Sequence, residues 1–193
     1  MTTFFSVDVE TSGLTPDSGV LLTVGIHVVR DGALTHESLY VRIDRSYSLR
    51  EWETGKGSYD WWQEQDQRVK DEAFYSDDLV RHDPRVAAMM IAEFVTSAEL
   101  QPEGRVFVAN PVAFDKMWMT TLFDETGVPD PFHYRSLCLR SMKFGMRPRS
   151  EWGNDREDHK PAIPHHALWD ARAQALDLVQ MLAERDTTRA VDE

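Results

Sequence analysis

Cysteine is almost absent: Cys138 is the single one in 193 residues. A lone thiol excludes an internal disulfide framework and any cysteine-built zinc site. Long apolar runs are missing too, since none approaches the ~20 residues of a membrane span. The start, Met1-Thr2-Thr3-Phe4-Phe5, lacks the basic residues and small-residue cleavage site of a secretory signal. A cytoplasmic location with no membrane partner is the expectation. Positive charge is scarce as well, with 21 Lys+Arg against 33 Asp+Glu and a net charge of −12. Most of such a surface repels polyanions, so a nucleic-acid ligand would require a local basic patch, bound cations, or both. There is no internal repeat and no low-complexity tract.

What is present suits one globular domain. Hydrophobic residues make up 41% and charged residues 28%, and the length allows a real core with little room for a second domain. From Thr3 to Glu10, Phe5, Val7 and Val9 alternate with Phe4, Ser6, Asp8 and Glu10, the period of a strand. Turn chemistry follows at Thr11-Ser12-Gly13 and Thr15-Pro16-Asp17-Ser18-Gly19. Two more β-rich runs, Val20 to Arg30 and Ala33 to Ile43, flank Asp31-Gly32, a dipeptide suited to a hairpin turn whose two positions need φ > 0. From about Asp60 the pattern turns helical. Asp83-Pro84 reads as an N-cap and first helical position, and Val86, Ala87, Met90, Ile91, Phe94, Val95 and Ala98 form an apolar stripe. A short buried strand is expected at Arg105 to Ala109. Asn110-Pro111 then caps a helix carrying Phe114, Met117, Trp118, Leu122 and Phe123, with Gly127 as its stop. Phe132 to Leu139 reads as a last strand and His166 to about Glu184 as a last helix, with Leu168, Ala171, Ala175, Leu178 and Leu182 on one face. The order predicts one mixed-sheet α/β domain over residues 1–185, followed by a polar tail, 186–193, that frays.

Asp8 and Glu10 are the first anomaly. At i and i+2 on a strand they share a face, and two such carboxylates repel unless a proton or cation sits between them. Oxygen ligands of this kind suit Mg²⁺ or Mn²⁺. The spacing alone is weak: Asp155-Arg156-Glu157 repeats it in a polar stretch that reads as solvated surface. Asp115 lies in the first turns of a helix that directly follows a buried strand, where it would also favour the helix N-terminus. Asp170 sits beside the apolar stripe of the last helix rather than opposite it. His165 precedes that helix and leans toward the same place.

Taken together, these residues resemble the DEDDh group of 3′-5′ exonucleases, the superfamily of RNase T, oligoribonuclease and polymerase proofreading subunits. Asp8-Val9-Glu10-Thr11-Ser12-Gly13-Leu14 resembles its first motif, Asn110 through Phe114-Asp115 its second, and His165-His166-Ala167-Leu168-Trp169-Asp170 its third, His-x-Ala-x-x-Asp. Ser58-Tyr59-Asp60-Trp61-Trp62-Gln63 is most similar to the compact phage and actinobacterial exoribonuclease-like branch. The likeness runs from about Phe4 to Leu182. It implies a single RNase H-like domain with a mixed five- or six-stranded sheet flanked by helices. It implies that Asp8, Glu10, Asp115 and Asp170 hold two divalent ions, Mg²⁺ or Mn²⁺, and that His165 is the general base. His166 stands next to it, and the motif register selects His165. Thr11 and Leu14 would contact the terminal nucleotide, and Asn110 is a further contact of that kind.

The expected activity is release of 5′-mononucleotides from the 3′ ends of single-stranded RNA. The alternatives are the same reaction on DNA, or a catalytically silent nucleic-acid-binding module. A homodimer is expected by analogy alone. From Pro131 to Ser150 there is no Asp or Glu, yet Arg135, Arg140, Lys143, Arg147 and Arg149 occur there. This stretch is expected to line the approach of the strand, with Arg140 as a contact. Of the adjacent Trp61 and Trp62, one is expected to stack on a base and the other to pack. Trp118 and Trp169 read as core or interface, and Cys138 as a small buried residue.

Overall fold

The alternation in the first third of the chain builds three antiparallel strands, β1 (Thr3–Thr11), β2 (Leu21–Arg30) and β3 (Ala33–Arg42). The computed structural model describes residues 2–44, 56–75, 79–97, 101–148 and 159–192. Asp31 and Gly32 make the β2–β3 turn with φ of 52° and 75°, as the dipeptide predicts. β4 (Arg105–Ala109) pairs in parallel with β1, from Thr3 opposite Arg105 to Ser6 opposite Val108. β5 (Ser136–Cys138) pairs in parallel with β4, giving a five-stranded sheet in the order β3-β2-β1-β4-β5 among the described residues.

The helices are α1 (Lys56–Gln63), α2 (Gln67–Lys70), α3 (Pro84–Thr96), α4 (Val112–Thr126), α5 (Leu139–Met146) and α6 (Ala167–Asp192). A π-helical turn, Asp71–Tyr75, continues α2. Asp83 caps α3, its Oδ1 accepting the N–H of Arg85 at 2.9 Å, with Pro84 at the first position. Gly127 ends α4 with φ 68°.

Four details depart from the sequence reading. The last strand is only Ser136–Cys138, because local bonds take the backbone before it: Asp130 Oδ1 accepts the Phe132 N–H at 3.0 Å and His133 Nδ1 that of Arg135 at 3.3 Å. Asn110 does not cap α4; Pro111 holds the cap position and no side chain bonds there. The buried face of α3 is Ala87, Ala88, Ile91 and Val95, with Val86 exposed, because the small alanines let the helix approach α4 and β3 closely. Finally, α6 runs to Asp192 through the segment read as a fraying tail, which contains no Gly or Pro to stop it. Ala98, Arg149 and the Asp155-Arg156-Glu157 run lie outside the described residues.

Apolar layers cover both faces of the sheet. Phe5, Val7 and Val9 pack with Ile91, Val95, Trp118 and Phe123 on one side. Val29, Val108 and Leu139 pack with Ala175, Leu178 and Met181 of α6 on the other, with Phe4 against them. Each fully buried side chain of this size contributes about 1.5–3 kcal/mol. One close approach sets where α6 starts. A Cβ on Gly25 of β2 would stand 2.3 Å from the backbone carbonyl of Ala167, so only glycine lets the helix begin there. The helix packs on β2 and β1, which brings its first turns to the end of β1. Trp118 is buried, Trp169 is exposed and Cys138 is half-buried. No described helix is long and apolar enough to cross a membrane.

Candidate active site

The parallel ladder between β1 and β4 ends at Ser6, while β1 continues to Thr11. In that gap the chain leaves β4 and enters α4, whose Asp115 accepts the Val9 N–H through Oδ1 at 3.1 Å. A side chain thereby satisfies a backbone donor that a neighbouring strand would otherwise take. Asp8 and Glu10 share a face of β1, and Gln174 of α6 donates from Nε2 to Asp8 Oδ1 at 2.7 Å. Asp170, in the first turn of α6, accepts the His166 N–H through Oδ2 at 3.0 Å.

Asp8, Glu10 and Asp170 each offer one carboxylate oxygen, and these oxygens lie within 4.8 Å of one another. Asp115 is outside that threesome but lines the same cavity, of about 290 Å³. Burial, then the charges of Asp115, Glu10 and Asp170, raises the Asp8 carboxyl well above its ordinary value. Burial, then Asp170 and Asp115, does the same to Glu10. Burial pushes Asp115 up to about 7 and Asp170 up to about 6. Carboxylates that resist ionising together, with only oxygen to offer, fit a divalent cation that would neutralise them.

The two adjacent histidines part company. His166 is buried, its Nε2 2.8 Å from Glu72 Oε2, its Nδ1 accepting the Leu168 N–H and its ring stacked on Tyr40 at 4.8 Å. His165 lines the cavity with the carboxylates, and burial lowers its pKa. Its backbone is left-handed at φ 60°, a conformation that costs a non-glycine residue energy and recurs at functional sites. The Trp61 ring meets His165 edge-on at 4.7 Å.

A second, wider cavity of about 650 Å³ holds Thr11, Gly13, Leu14, Ser58, Trp61 and Trp62, and it meets the first at Val9, Glu10 and Phe114. Leu14 is 74% exposed at its rim. Trp62 is buried, donating from Nε1 to the Thr11 carbonyl at 3.0 Å, whereas Trp61 is exposed. The structure thus divides the tryptophan pair into an anchor and an accessible ring. Asn110 lines the smaller cavity. Arg140 is exposed on α5 and lines neither cavity. Arg147 lies 3.6 Å from Glu184, and Arg135 packs on the Tyr134 ring.

A further cluster was not anticipated as a unit. Asp177 of α6 lies with Oδ1 2.8 Å from His159 Nδ1 and Oδ2 2.5 Å from Lys143 Nζ, and all three line the smaller cavity. One signal was available: Asp170, Gln174 and Asp177 fall at helical spacing, a polar row beside an apolar stripe.

Comparison with known proteins identifies the family. A family model described as the 3′-5′ exoribonuclease Rv2179c-like domain matches residues 3–182. The 3′-5′ DNA exonuclease Cap18 of Escherichia coli is 28% identical over 191 residues, spanning 94% of both chains. E. coli Exonuclease I in complex with a dT13 oligonucleotide is similar in fold, with a TM-score of 0.66 at 17% identity over 100% of this chain and 43% of that one. The zinc-bound form of its complex with single-stranded DNA gives 0.65 at 17%, over 100% and 42%. The chain therefore spans less than half the length of Exonuclease I, and that likeness concerns the RNase H-like fold. The family match covers nearly the whole chain, and the chain belongs to the Rv2179c-like 3′-5′ exoribonuclease domain family: it is a 3′-5′ exonuclease.

Proposed function

We propose that the chain removes 5′-mononucleotides one at a time from single-stranded 3′ ends, RNA in preference to DNA, with divalent metal ions held by its acidic cluster and His165 as general base. The observation that carries this reading is the meeting of three carboxylates within 4.8 Å, with Asp115 and His165 on the wall of the same cavity. Asp8, Glu10, Asp115 and Asp170 would hold two ions, Mg²⁺ or Mn²⁺. Such a pair, when bound, stabilises charge on both the attacking and the leaving oxygen of an in-line displacement.

The chain's own residues supply the rest. Partial burial of the His165 ring lowers its pKa and so favours the neutral form, in which a ring nitrogen can accept a proton from the attacking water. The water oxygen bonds to phosphorus, the bond to the leaving 3′-oxygen breaks, and that oxygen takes a proton from solvent. Trp61 and Leu14 would grip the terminal base in the wider cavity, with Thr11 beside it and Asn110 on the scissile side. Arg140 would meet the strand farther out.

The family description supports RNA. The Cap18 relative, aligned over 94% of its length, supports DNA as a second reading. Oligonucleotides of RNA and DNA labelled at the 5′ end, incubated with Mg²⁺, Mn²⁺ or EDTA beside Asp8→Ala, rank the two. The expected result is a metal-dependent ladder shrinking from the 3′ end, faster on RNA and absent in the variant. A faster ladder on DNA selects the second reading, and activity that survives in the variant overturns the site.

A further inference from the structure

The carboxylate cavity has a cationic wall that the reaction above leaves without a task. Lys143, His159 and Lys160 line the smaller cavity and not the wider one. Asp177, only 6% exposed, fixes two of them: it lies 2.8 Å from His159 Nδ1 and 2.5 Å from Lys143 Nζ. Once bound cations neutralise the four carboxylates, Lys143, Lys160 and His159 on the same wall would draw an anion to it.

The strand has such an anion at every nucleotide. With the terminal nucleotide in the Trp61–Leu14 pocket and its 5′-phosphate at the carboxylates, the rest of the strand must leave through the smaller cavity. We propose that Lys143, His159 and Lys160 bind the first phosphate inward of the scissile one, on the strand that stays behind. This inference rests on the exonuclease reading given above. A lysine point charge recognises phosphate oxygens whatever the base, which suits an enzyme that must advance over any sequence. The contact would also hold the leaving 3′-oxygen in place by fixing the sugar to which it belongs.

The test uses single-stranded oligonucleotides that differ in one linkage. The scissile phosphodiester is left intact, and the next linkage inward is replaced by an uncharged methylphosphonate; a second strand carries that replacement at the fourth linkage. Release of the first 5′-mononucleotide is timed. The wild-type protein should lose about tenfold or more in kcat/KM with the neutral second linkage, the usual scale of a charge-assisted hydrogen bond, and much less with the fourth. His159→Gln, Lys143→Gln and Lys160→Gln should be slower on the unmodified strand and insensitive to the neutral linkage, and should flatten the salt dependence by about 0.7 per lost contact. A merely structural role would lower the melting temperature without changing the response to the linkage. Where Lys143→Gln fails to fold because Asp177 loses its ammonium partner, the wild-type comparison and Lys160→Gln still decide. Equal wild-type rates on all three strands, or variants that suffer the same loss as wild type, overturn the inference alone. No cleavage of the unmodified strand overturns the exonuclease reading, and the inference with it.

Discussion

Val9 and Asp115 are bound backbone to side chain, the strand N–H donating to the helix carboxylate at 3.1 Å. The strand that presents Asp8 and Glu10 thus also orients the acid that faces them. Asp115→Asn keeps an oxygen for Val9 while removing one like charge from the cluster. Activity should fall about 10–100-fold or more, while the metal-free protein should melt at a higher temperature. Parallel kinetics and thermal melts in EDTA read both, and a melting temperature that drops would show that the bond, not the repulsion, dominates.

Metal removal should invert the usual dependence of stability on pH. Asp115 and Asp170 hold their protons up to about 7 and 6 in the folded chain, against about 4 when unfolded. Between those values the folded state binds more protons, so its stability is fully present below about pH 4 and falls as pH rises toward 7. Thermal melts in EDTA should be several degrees lower at pH 8 than at pH 5. Saturating Mg²⁺ or Mn²⁺ should restore stability at pH 8, by about 2.7 kcal/mol at one hundred times its Kd. Equal melts at the two pH values would refute the coupling.

The tryptophan pair should separate cleanly. Trp62→Ala empties a buried site and breaks the bond to the Thr11 carbonyl, costing about 3–5 kcal/mol in denaturant melts. Trp61→Ala should leave the fold intact and raise KM for oligonucleotides by about tenfold, on the scale of one lost stacked base.

His165→Gln should lower kcat by about 10²–10⁴-fold with little change in melting temperature. His166→Gln should do the reverse, because it loosens the contacts to Glu72 and Tyr40 that seat the start of α6. A pair of variants with equal kinetic defects would contradict this division.

Gly25→Ala places a methyl group 2.3 Å from the Ala167 carbonyl. The helix must shift, costing about 1–3 kcal/mol and carrying Asp170 away from Asp8. Loss of metal-dependent stabilisation beyond the drop in melting temperature would register that displacement.

The acidic positions were legible because each contradicts its surroundings: carboxylates on an inner strand and beside an apolar helical stripe have no place in a plain core. The Asp31-Gly32 turn, the Asp83 cap and the Gly127 stop were legible for local reasons, since each depends on one or two residues. What escaped were features made by distant segments. Lys143 and His159 meet only because Asp177 projects from a third element. Likewise, β5 is short because Asp130 and His133 bind nearby backbone, a competition that hydrophobic pattern does not register. The motif register selected His165 over His166, but the partners that hold His166, Glu72 and Tyr40, are connected to it by no local spacing.

The early end of the β1–β4 ladder keeps the site accessible. Inserting a few residues into β4 would let the two strands zip together past Ser6 and seal the acidic groove beneath paired main chain. The brevity of that one strand is what leaves the groove open to a ligand.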